Sequence, residues 1–425
     1  MKIFIKNVRS FVGQHELPIR PLTILLGENS TGKTTFLSIL ASISNSFFPG
    51  DSRIFRQEPY DLGGFDTITS YRGGRGGRAH DFSLGFQIQA EGYPAKLFAT
   101  YVEDRGQPTL SHFLMETKEI NLDLNVENRQ ISGTYKIDDE AEVSSHRFSG
   151  GLPSGVELSL ENIPSAFILA LSKPDSERRL AGKLFSAFHR AQYGISRSLK
   201  SVKSIAPIRT KPRRTYDKII DEFRPEGDHI PFVLARSFWK KEARISSPLY
   251  KALVRFGQES GLFNDIDVSR FGTRLGSPFR VMVQTAGPAA NLTDVGYGVS
   301  QSLPVVVESA TAKSNTTLLL QQPEVHLHPR AQAALASFMV ELASAKKCEY
   351  VIETHSDFIV DRTRQEIANG RINKDDVIIL FFSKRGTKTT IYPIELDELG
   401  NLVNPPSSYR EFFLNEESNL LMRGD

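Results

Sequence analysis

The stretch Gly27-Glu28-Asn29-Ser30-Thr31-Gly32-Lys33-Thr34 is the strongest indication of the fold. It fits Gly-x-x-x-x-Gly-Lys-Thr, a pattern that binds phosphate where a strand turns into a helix. An apolar run at 22–26 precedes it, and a helical pattern at 35–43 follows it. The two glycines let backbone N–H groups face an anion, and the helix N-terminus adds positive potential. A simple Gly-rich turn with a solvated lysine is the alternative, and both flanking elements argue against it.

The chemistry of this loop predicts its ligands. Lys33 would neutralise the β and γ oxygens of ATP or GTP, and Thr34 would offer its hydroxyl to the Mg²⁺ that bridges them. The predicted nucleotide-binding residues here are Asn29, Ser30, Thr31, Gly32, Lys33, Thr34 and Thr35. The expected cofactors are therefore ATP and Mg²⁺.

Composition limits the class of protein. The chain has 425 residues, 40% of them hydrophobic, so it can bury a full core in one large domain or in two or three smaller ones. No apolar stretch reaches about 18 residues and residues 1–5 alternate like a strand, so we expect a cytoplasmic protein. The single cysteine, Cys348, excludes an internal disulfide and a cysteine-based zinc site. A net charge of +3 does not require a nucleic-acid partner.

The predicted elements describe an α/β domain that is interrupted by an insertion. Strands at 2–8 and 14–18 lead into the phosphate loop, and short alternating strands fill 61–149. An amphipathic helix is predicted at 177–202, with Leu180, Leu184, Phe185, Phe188 and Ile195 as its apolar residues. After residue 279 the α/β pattern returns. Strands are predicted at 280–284, 317–320 and 349–352, helices from about 299 and at 330–344, and a hairpin at 377–393. The expected domains are 1–65 with 265–395 for nucleotide binding, 66–160 for a β-rich insertion, 161–264 for a helical lobe, and 396–425 for a tail.

Four further stretches carry a resemblance to a known family. They are Asn7-Val8-Arg9-Ser10-Phe11, Asp294-Val295-Gly296-Tyr297-Gly298-Val299-Ser300-Gln301-Ser302-Leu303-Pro304, Gln322-Pro323-Glu324-Val325-His326-Leu327-His328-Pro329 and Glu353-Thr354-His355-Ser356-Asp357. In this order they resemble ABC-type ATPases of the RecF, SMC and OLD group, and their smaller AAA-21-like relatives. The resemblance covers about residues 1–65 and 280–360. It implies an α/β fold: an ABC-type P-loop domain split by an insertion, with an antiparallel β subdomain and a helical lobe.

The second of these stretches resembles the signature segment of that family. Gly296 and Gly298 precede a helix expected from about Val299, so backbone N–H groups and a helix N-terminus can face an anion. In the family this anion is the γ-phosphate held by the other subunit. The family often has Ser where this chain has Gly296, and Ser300 is a second candidate for that role. The resemblance implies a homodimer or higher oligomer, arranged head to tail around two nucleotides.

The Walker B segment departs from the family pattern. It normally ends with Asp, which holds a Mg²⁺-bound water, and Glu, which deprotonates the attacking water. The resemblance places Gln321 and Gln322 at these positions, and a glutamine carries no charge and takes no proton. Glu324 is a nearby carboxylate that Pro323 is expected to turn elsewhere. Slow turnover is expected, and Gln at both positions favours a native feature over an engineered substitution.

Three more residues receive roles from the resemblance or from position. His355 matches the switch histidine and would hydrogen-bond the γ-phosphate, so the predicted catalytic residues are Gln321, Gln322 and His355. Gln57 is a candidate contact of Mg²⁺ on position alone, which makes Thr34 and Gln57 the predicted metal residues. His326 and His328 suggest zinc as an alternative, but no third ligand lies nearby in the sequence.

Two basic clusters are candidate contacts for nucleic-acid phosphates. One contains Arg72, Arg75 and Arg78, and the other runs from Arg209 to Arg214 and includes Lys211 and Arg213. Solvated loops are the alternative interpretation. Basic residues of the helix predicted at 177–202 make a nucleic-acid surface more plausible.

The resemblance also leads to an expectation about function. OLD-type relatives continue past the switch histidine into a Toprim nuclease domain, whereas about 70 residues follow it here, so no nuclease is expected within this sequence. The expected protein is a nucleotide-gated sensor or scaffold for a separate effector such as a nuclease. It resembles the ATPase subunits of bacterial antiphage defence systems, including Septu-like and retron-associated ones. A RecF-like repair ATPase that binds DNA directly is the alternative, and the two glutamines disfavour a free-standing hydrolase.

Overall fold

The computed structural model describes residues 1–46, 55–74, 76–89, 93–128, 130–139, 142–151, 175–217, 220–238, 241–274 and 276–409. The chain forms two compact units. The first contains Met1–Ile19, Glu28–Val202 and Phe382–Ile391, and the second contains Arg20–Gly27, Lys203–Phe381 and Tyr392–Asp425. No helix within the described residues is long and apolar enough to cross a membrane.

The first unit is organised around an eight-stranded antiparallel sheet of order β11-β10-β9-β8-β7-β6-β1-β2. These strands are β1 (Lys2–Val8), β2 (Phe11–Pro18), β6 (Asp81–Ile88), β7 (Ala95–Asp104), β8 (Gln107–Thr117), β9 (Ile120–Glu127), β10 (Gln130–Asp139) and β11 (Glu142–Gly151). The unit also contains α1 (Lys33–Ser46), α2 (Phe65–Ile68), α3 (Asp175–Ser198) and a hairpin of β4 (Arg56–Gln57) and β5 (Tyr60–Asp61). Alternate residues of β7 are buried, as expected for a sheet with one face on the core.

The first unit differs from the sequence-based boundaries in two places. The strands expected as a separate insertion at 66–160 form one sheet with β1 and β2, because β1 pairs directly with β6. The helix expected to reach residue 202 ends at Ser198 and is followed by a strand, β12 (Ser201–Ile205). Phe185, expected on the apolar side of α3, is exposed.

A seven-stranded sheet has the order β12-β16-β17-β3-β18-β19-β20, and a three-stranded sheet has the order β13-β14-β15. The remaining strands are β3 (Leu22–Gly27), β13 (Asp265–Arg270), β14 (Phe279–Gln284), β15 (Ala290–Asn291), β16 (Thr316–Gln321), β17 (Glu349–Glu353), β18 (Val377–Arg385), β19 (Lys388–Leu396) and β20 (Leu402–Val403). The helices are α4 (Ile230–Ser237), α5 (Lys241–Ser246), α6 (Pro248–Ser260), α7 (Tyr297–Thr311), α8 (Pro329–Ser344) and α9 (Asp357–Ala368). The predicted α/β fold with an antiparallel β component is confirmed.

Parallel pairing at the centre of this sheet brings three strand ends together. β16 pairs with β17 and β17 pairs with β3, both in parallel. The apolar residues of these strands are buried, as in sheets that are covered on both faces. Their carboxyl ends at Gly27, Gln321 and Glu353 therefore share one edge, which is where α/β sheets bind ligands.

A buried polar cluster around Glu308 stabilises the second half of α7. Glu308 is 4% exposed and accepts hydrogen bonds from Lys203 Nζ at 2.7 Å and from His229 Nε2 at 2.7 Å. The Arg224 N–H donates to His229 Nδ1 at 3.1 Å, so the His229 proton lies on Nε2. Burial would raise the pKa of Glu308, but the hydrogen bonds from His229 and Lys203 outweigh it and lower the pKa.

Replacing Glu308 with Gln should lower the free energy of unfolding by about 2–3 kcal/mol at neutral pH, because Lys203 loses its buried anionic partner. A lowered carboxyl pKa stabilises the fold above its ordinary range, and this contribution disappears as the pH falls through the lowered value. The difference between wild type and variant should therefore shrink in acid. Urea denaturation at several pH values measures it.

Glu341→Gln is the matched control for this substitution. Glu341 pairs with Arg255 at 2.6 Å, but both side chains are largely exposed, so less than about 1 kcal/mol should be lost. Equal losses for the two variants would contradict the role given to Glu308.

Candidate nucleotide-binding site

The phosphate loop has a backbone that requires glycine at Gly32. Its φ is +102°, and a Cβ there would lie 2.9 Å from Phe11 Cζ and 3.0 Å from Ser10 Oγ. α1 begins at Lys33, directly after this turn. The N–H groups of the first helical turn therefore point out of the loop, which is the arrangement that binds phosphate.

A hairpin from the far end of the sequence supports this loop. Thr389 Oγ1 donates a hydrogen bond to the Thr31 carbonyl at 2.8 Å, and Lys384 Nζ donates to the Ser30 carbonyl at 3.2 Å. Within the loop, Thr31 Oγ1 donates to the Glu28 carbonyl at 2.8 Å. The loop is therefore held by contacts from the hairpin and by a contact within itself. The sequence pattern predicted the hairpin but not its contact with the loop.

The side chains of the loop divide into buried and accessible ones. Lys33 is only 3% exposed, and its Nζ donates to the Glu28 carbonyl at 2.7 Å. Thr35 is also buried, and its hydroxyl accepts a hydrogen bond from Arg9 Nη1 at 3.3 Å. Asn29 and Ser30 are exposed. Thr35 is thus held by Arg9, while the ammonium of Lys33 lies inside the curve where phosphate oxygens would sit.

At the carboxyl edge of the second unit, the two glutamines lie where the resemblance places Walker B. Gln321 ends β16, and Gln322 follows with a left-handed backbone, φ 44°. The Gln322 N–H donates to the Glu353 carbonyl at 2.7 Å, which fixes the turn against β17. Both glutamines remain partly exposed. Their side chains can contact a ligand, but neither can hold a metal by charge or take a proton.

Glu324 is occupied by a neighbouring segment. Its Oε1 accepts the His355 backbone N–H at 2.9 Å, and its Oε2 is buried without a hydrogen-bond partner among the described residues. Burial raises the pKa of Glu324, and the His355 N–H partly offsets this. This carboxylate connects the loop after β16 to the segment that precedes α9. The His355 ring itself is exposed beside it.

The N-terminus of α7 packs closely against the loop after β16. Gly296 is the N-cap and the helix begins at Tyr297, so Gly298 lies inside the first turn. A Cβ on Gly298 would lie 2.9 Å from the His326 carbonyl, so the glycine permits contact with the loop after β16. Ser300, a predicted ligand residue, is buried and its hydroxyl donates to the Tyr297 carbonyl at 2.9 Å. Gly296 and Tyr297 are the exposed part of this segment.

Arg209 connects α7 to the Walker B loop and corrects one sequence-based expectation. It is 3% exposed, with Nη1 donating to the Gln301 carbonyl at 3.1 Å and Nη2 to the Gln322 carbonyl at 3.4 Å. Burial lowers the pKa of Arg209 to about 10, against the opposing charge of Glu324. A buried guanidinium with these partners does not contact nucleic acid. In the sequence, its position in a basic cluster suggested a surface.

The other candidate basic residues are partly engaged in local contacts. Arg72 Nη2 donates to Asn7 Oδ1 at 3.0 Å, and Arg78 Nη1 bonds the carbonyls of Asp66 and Thr69. Arg75 lies outside the described residues. Arg214 forms two hydrogen bonds with the carboxylate of Asp294, at 2.7 and 3.1 Å. Lys211 and Arg213 are exposed.

The candidate metal residues give a limited donor set. Gln57 lies in β4, opposite Tyr60, and its side chain is outside the described part of the chain. His328 caps α8 by accepting the Ala331 N–H, and the His326 ring packs against Tyr297 with centroids 5.0 Å apart. Across the described ranges, no group of three or more His, Cys, Asp or Glu is placed to hold a metal ion.

Comparison with known proteins gives a family match and a distant relative. A family model described as AAA ATPase domain, AAA_15, matches residues 175–360. This span contains the α7 segment, the Walker B loop, the switch histidine and Arg209, and it begins after the phosphate loop. The chain is 22% identical to "OLD nuclease" of Thermus scotoductus over 398 residues, covering 92% of this chain and 65% of that protein.

Solved structures with detectable similarity include SMC heads. The SmcHead bound to the C-winged helix domain of ScpA has a TM-score of 0.46 at 12% identity, covering 93% of this chain and 98% of that one. The SMC head domain from Thermotoga maritima has a TM-score of 0.37 at 11% identity, with the same coverage of 93% and 98%. At this level of similarity the fold assignment depends on the topology of the chain itself. The chain is thus similar to an AAA ATPase domain over residues 175–360 and to an OLD nuclease over most of its length, in agreement with the resemblance that the motifs carry.

Replacing Arg209 with Lys should lower the free energy of unfolding by about 2–3 kcal/mol, because a single ammonium cannot serve both carbonyls that the planar guanidinium reaches. Arg214→Lys is the control, since the exposed pair with Asp294 contributes less than about 1 kcal/mol. Thermal and urea denaturation of both variants give the comparison. A loss at Arg214 that equals the loss at Arg209 would contradict the assignment.

Proposed function

We propose that this protein is a long-lived ATP clamp: it binds ATP with Mg²⁺, hydrolyses it slowly, and signals through the nucleotide-bound state. The observation that carries this proposal is the edge beyond β16, where Gln321 and Gln322 replace an acidic pair. Glu324, the next carboxylate in the chain, accepts the His355 N–H through Oε1, and in this proposal it replaces neither residue. The phosphate loop, by contrast, is fully formed.

Each residue of the proposed site has a limited task. The loop N–H groups and Lys33 hold the β and γ phosphates, and the Thr34 hydroxyl is a ligand for Mg²⁺, which neutralises phosphate charge when bound. His355 donates to the γ-phosphate and distinguishes ATP from ADP. Gln322 orients a water by hydrogen bonding but leaves its proton in place, so the chemical step lacks a base.

The exposed N-terminus of α7 supports a nucleotide-dependent dimer. Gly296 and Tyr297 present the first N–H groups of a 15-residue helix, whose positive end favours an anion. A second copy would offer this helix end to the γ-phosphate bound by the first. ATP occupancy then controls whether two copies associate head to tail.

The proposed readout is a separate effector in bacterial antiphage defence, such as a nuclease. A protein that binds ATP but turns it over slowly serves as a timer or scaffold better than as a motor. The resemblance to ATPase subunits of defence systems supports this role. The OLD nuclease relative is consistent with work on nucleic acid by an associated protein, and this chain spans 65% of its length.

Steady-state turnover of the wild type should lie well below the typical enzyme median of about ten per second. Gln322→Glu should raise it at least about tenfold, because a positioned base contributes on the order of 10²–10⁴. Gln365→Glu, an exposed change on α9, is the control. Phosphate release measures turnover, and light scattering of the same samples with ATP reports association. Brisk hydrolysis by the wild type would refute the clamp.

Direct nucleic-acid binding is the second candidate function, favoured by the outer face of α3. Phe185 and Tyr193 on this face are 42% and 65% exposed. Phe185 packs against His189 with centroids 4.1 Å apart, and the Arg197 guanidinium lies 5.8 Å from the Tyr193 ring centroid. Residues 182–203 contain no Asp or Glu. Exposed rings among cations suit the stacked bases and phosphates of a single strand.

Tyr193→Ala should weaken binding of fluorescent single-stranded DNA by about tenfold, as for the loss of one stacked base. Arg197→Gln should reduce the salt dependence of binding by about one ion. Tyr392→Ala removes an exposed ring from another surface and should change neither. Fluorescence anisotropy at several salt concentrations tests all three, and a salt-independent signal would remove this candidate.

A further inference from the structure

A carboxylate stands beside the position from which the Walker B acid is missing. In the parallel pair of β16 and β17, Gln321 is the direct partner of Glu353, and Glu353 is also the partner of Leu25 on β3. Neighbouring strands lie about 4.8 Å apart, and paired residues project their side chains to the same face of a sheet. The side chains of Gln321 and Glu353 therefore leave the sheet together, at its carboxyl edge.

The position of Glu353 is unusual for an acidic residue. It is 5% exposed and ends a strand whose preceding residues Tyr350, Val351 and Ile352 are buried and apolar. The backbone carbonyl of Glu353 accepts the Gln322 N–H, so the same residue also sets the Walker B turn.

We propose that Glu353 supplies the metal-site carboxylate that Gln321 lacks, holding Mg²⁺ of the bound nucleotide through a metal-coordinated water. This inference rests on the proposed ATP binding. The carboxylate is on the neighbouring strand, at the position paired with Gln321 and on the same face. It remains at the carboxyl edge of the sheet. Gln321 is neutral, and the carboxylate of Glu353 beside it supplies one negative charge for the metal.

A carboxylate at position 353 and its absence at position 322 explain how tight binding of Mg²⁺ and ATP coexists with slow hydrolysis. The carboxylate that retains the metal is present, at 353. The base that would take a proton from water, at 322, is absent. The site therefore keeps the charge needed for Mg²⁺ and ATP and lacks the group needed for the chemical step.

Binding of Mn²⁺ in the presence of a non-hydrolysable ATP analogue, AMP-PNP, tests the proposal without reference to activity. Electron paramagnetic resonance titration of the full chain should show Mn²⁺ affinity at least about tenfold weaker for Glu353→Gln than for wild type, as when a group supporting a metal site is removed. In EDTA, the same variant should bind AMP-PNP at least as tightly as wild type, because a negative charge near the phosphates is gone.

A charge-swap variant keeps the test decisive if Glu353→Gln is poorly folded. Gln321→Glu combined with Glu353→Gln returns the carboxylate to the neighbouring strand and should recover most of the Mn²⁺ affinity. Glu349→Gln, at the opposite end of the same strand, is the matched control and should leave Mn²⁺ binding unchanged. Circular dichroism melting of each variant without nucleotide verifies the fold.

The outcomes separate this inference from the proposed function. Wild type that binds no AMP-PNP refutes ATP binding itself. Wild type that binds Mn²⁺ and AMP-PNP, with unchanged Mn²⁺ affinity in Glu353→Gln, refutes the metal role of Glu353 alone. Unchanged Mn²⁺ affinity with lost hydrolysis would assign Glu353 as a base and likewise overturn the proposal.

Discussion

The parallel pairing of β3, β17 and β16 is the constraint on which the candidate site depends. It places the carboxyl ends of three strands in one row, and each strand is followed by a segment to which the family resemblance assigns a role: the loop at 27–34, the segment of His355 and the turn at Gln322. Apolar residues bury these strands on both faces, so the register is strongly specified. The polar residues at the row are therefore held in fixed order even though they come from distant parts of the sequence.

Buried polar contacts around this row position the helices and loops that follow the strands. Arg209 joins α7 to the turn after β16 through two carbonyls, and Glu324 joins the same loop to the start of α9. Gly298 allows the helix to approach that loop closely. These contacts join the three segments to one another.

Local patterns predicted the parts of the site that have local causes. The phosphate loop and the central strands follow from turn residues and apolar runs, and the structure places them within a few residues of expectation. Long-range contacts were beyond such patterns. Arg209 looked like a surface cation because its two carbonyl partners lie about a hundred residues away, and Ser300 looked accessible because the start of α7 was set two residues late. The join of the β-rich segment to β1 depends on pairing across about 80 residues.

The contacts of Thr389 and Lys384 with the phosphate loop span more than 350 residues of sequence. During synthesis the loop is made long before residues 384 and 389, so it receives these supports only after more than 350 further residues have been added. Contacts of such high separation form late, because loop closure must be completed first. Nascent chains therefore carry an unsupported phosphate loop until the hairpin has been synthesised.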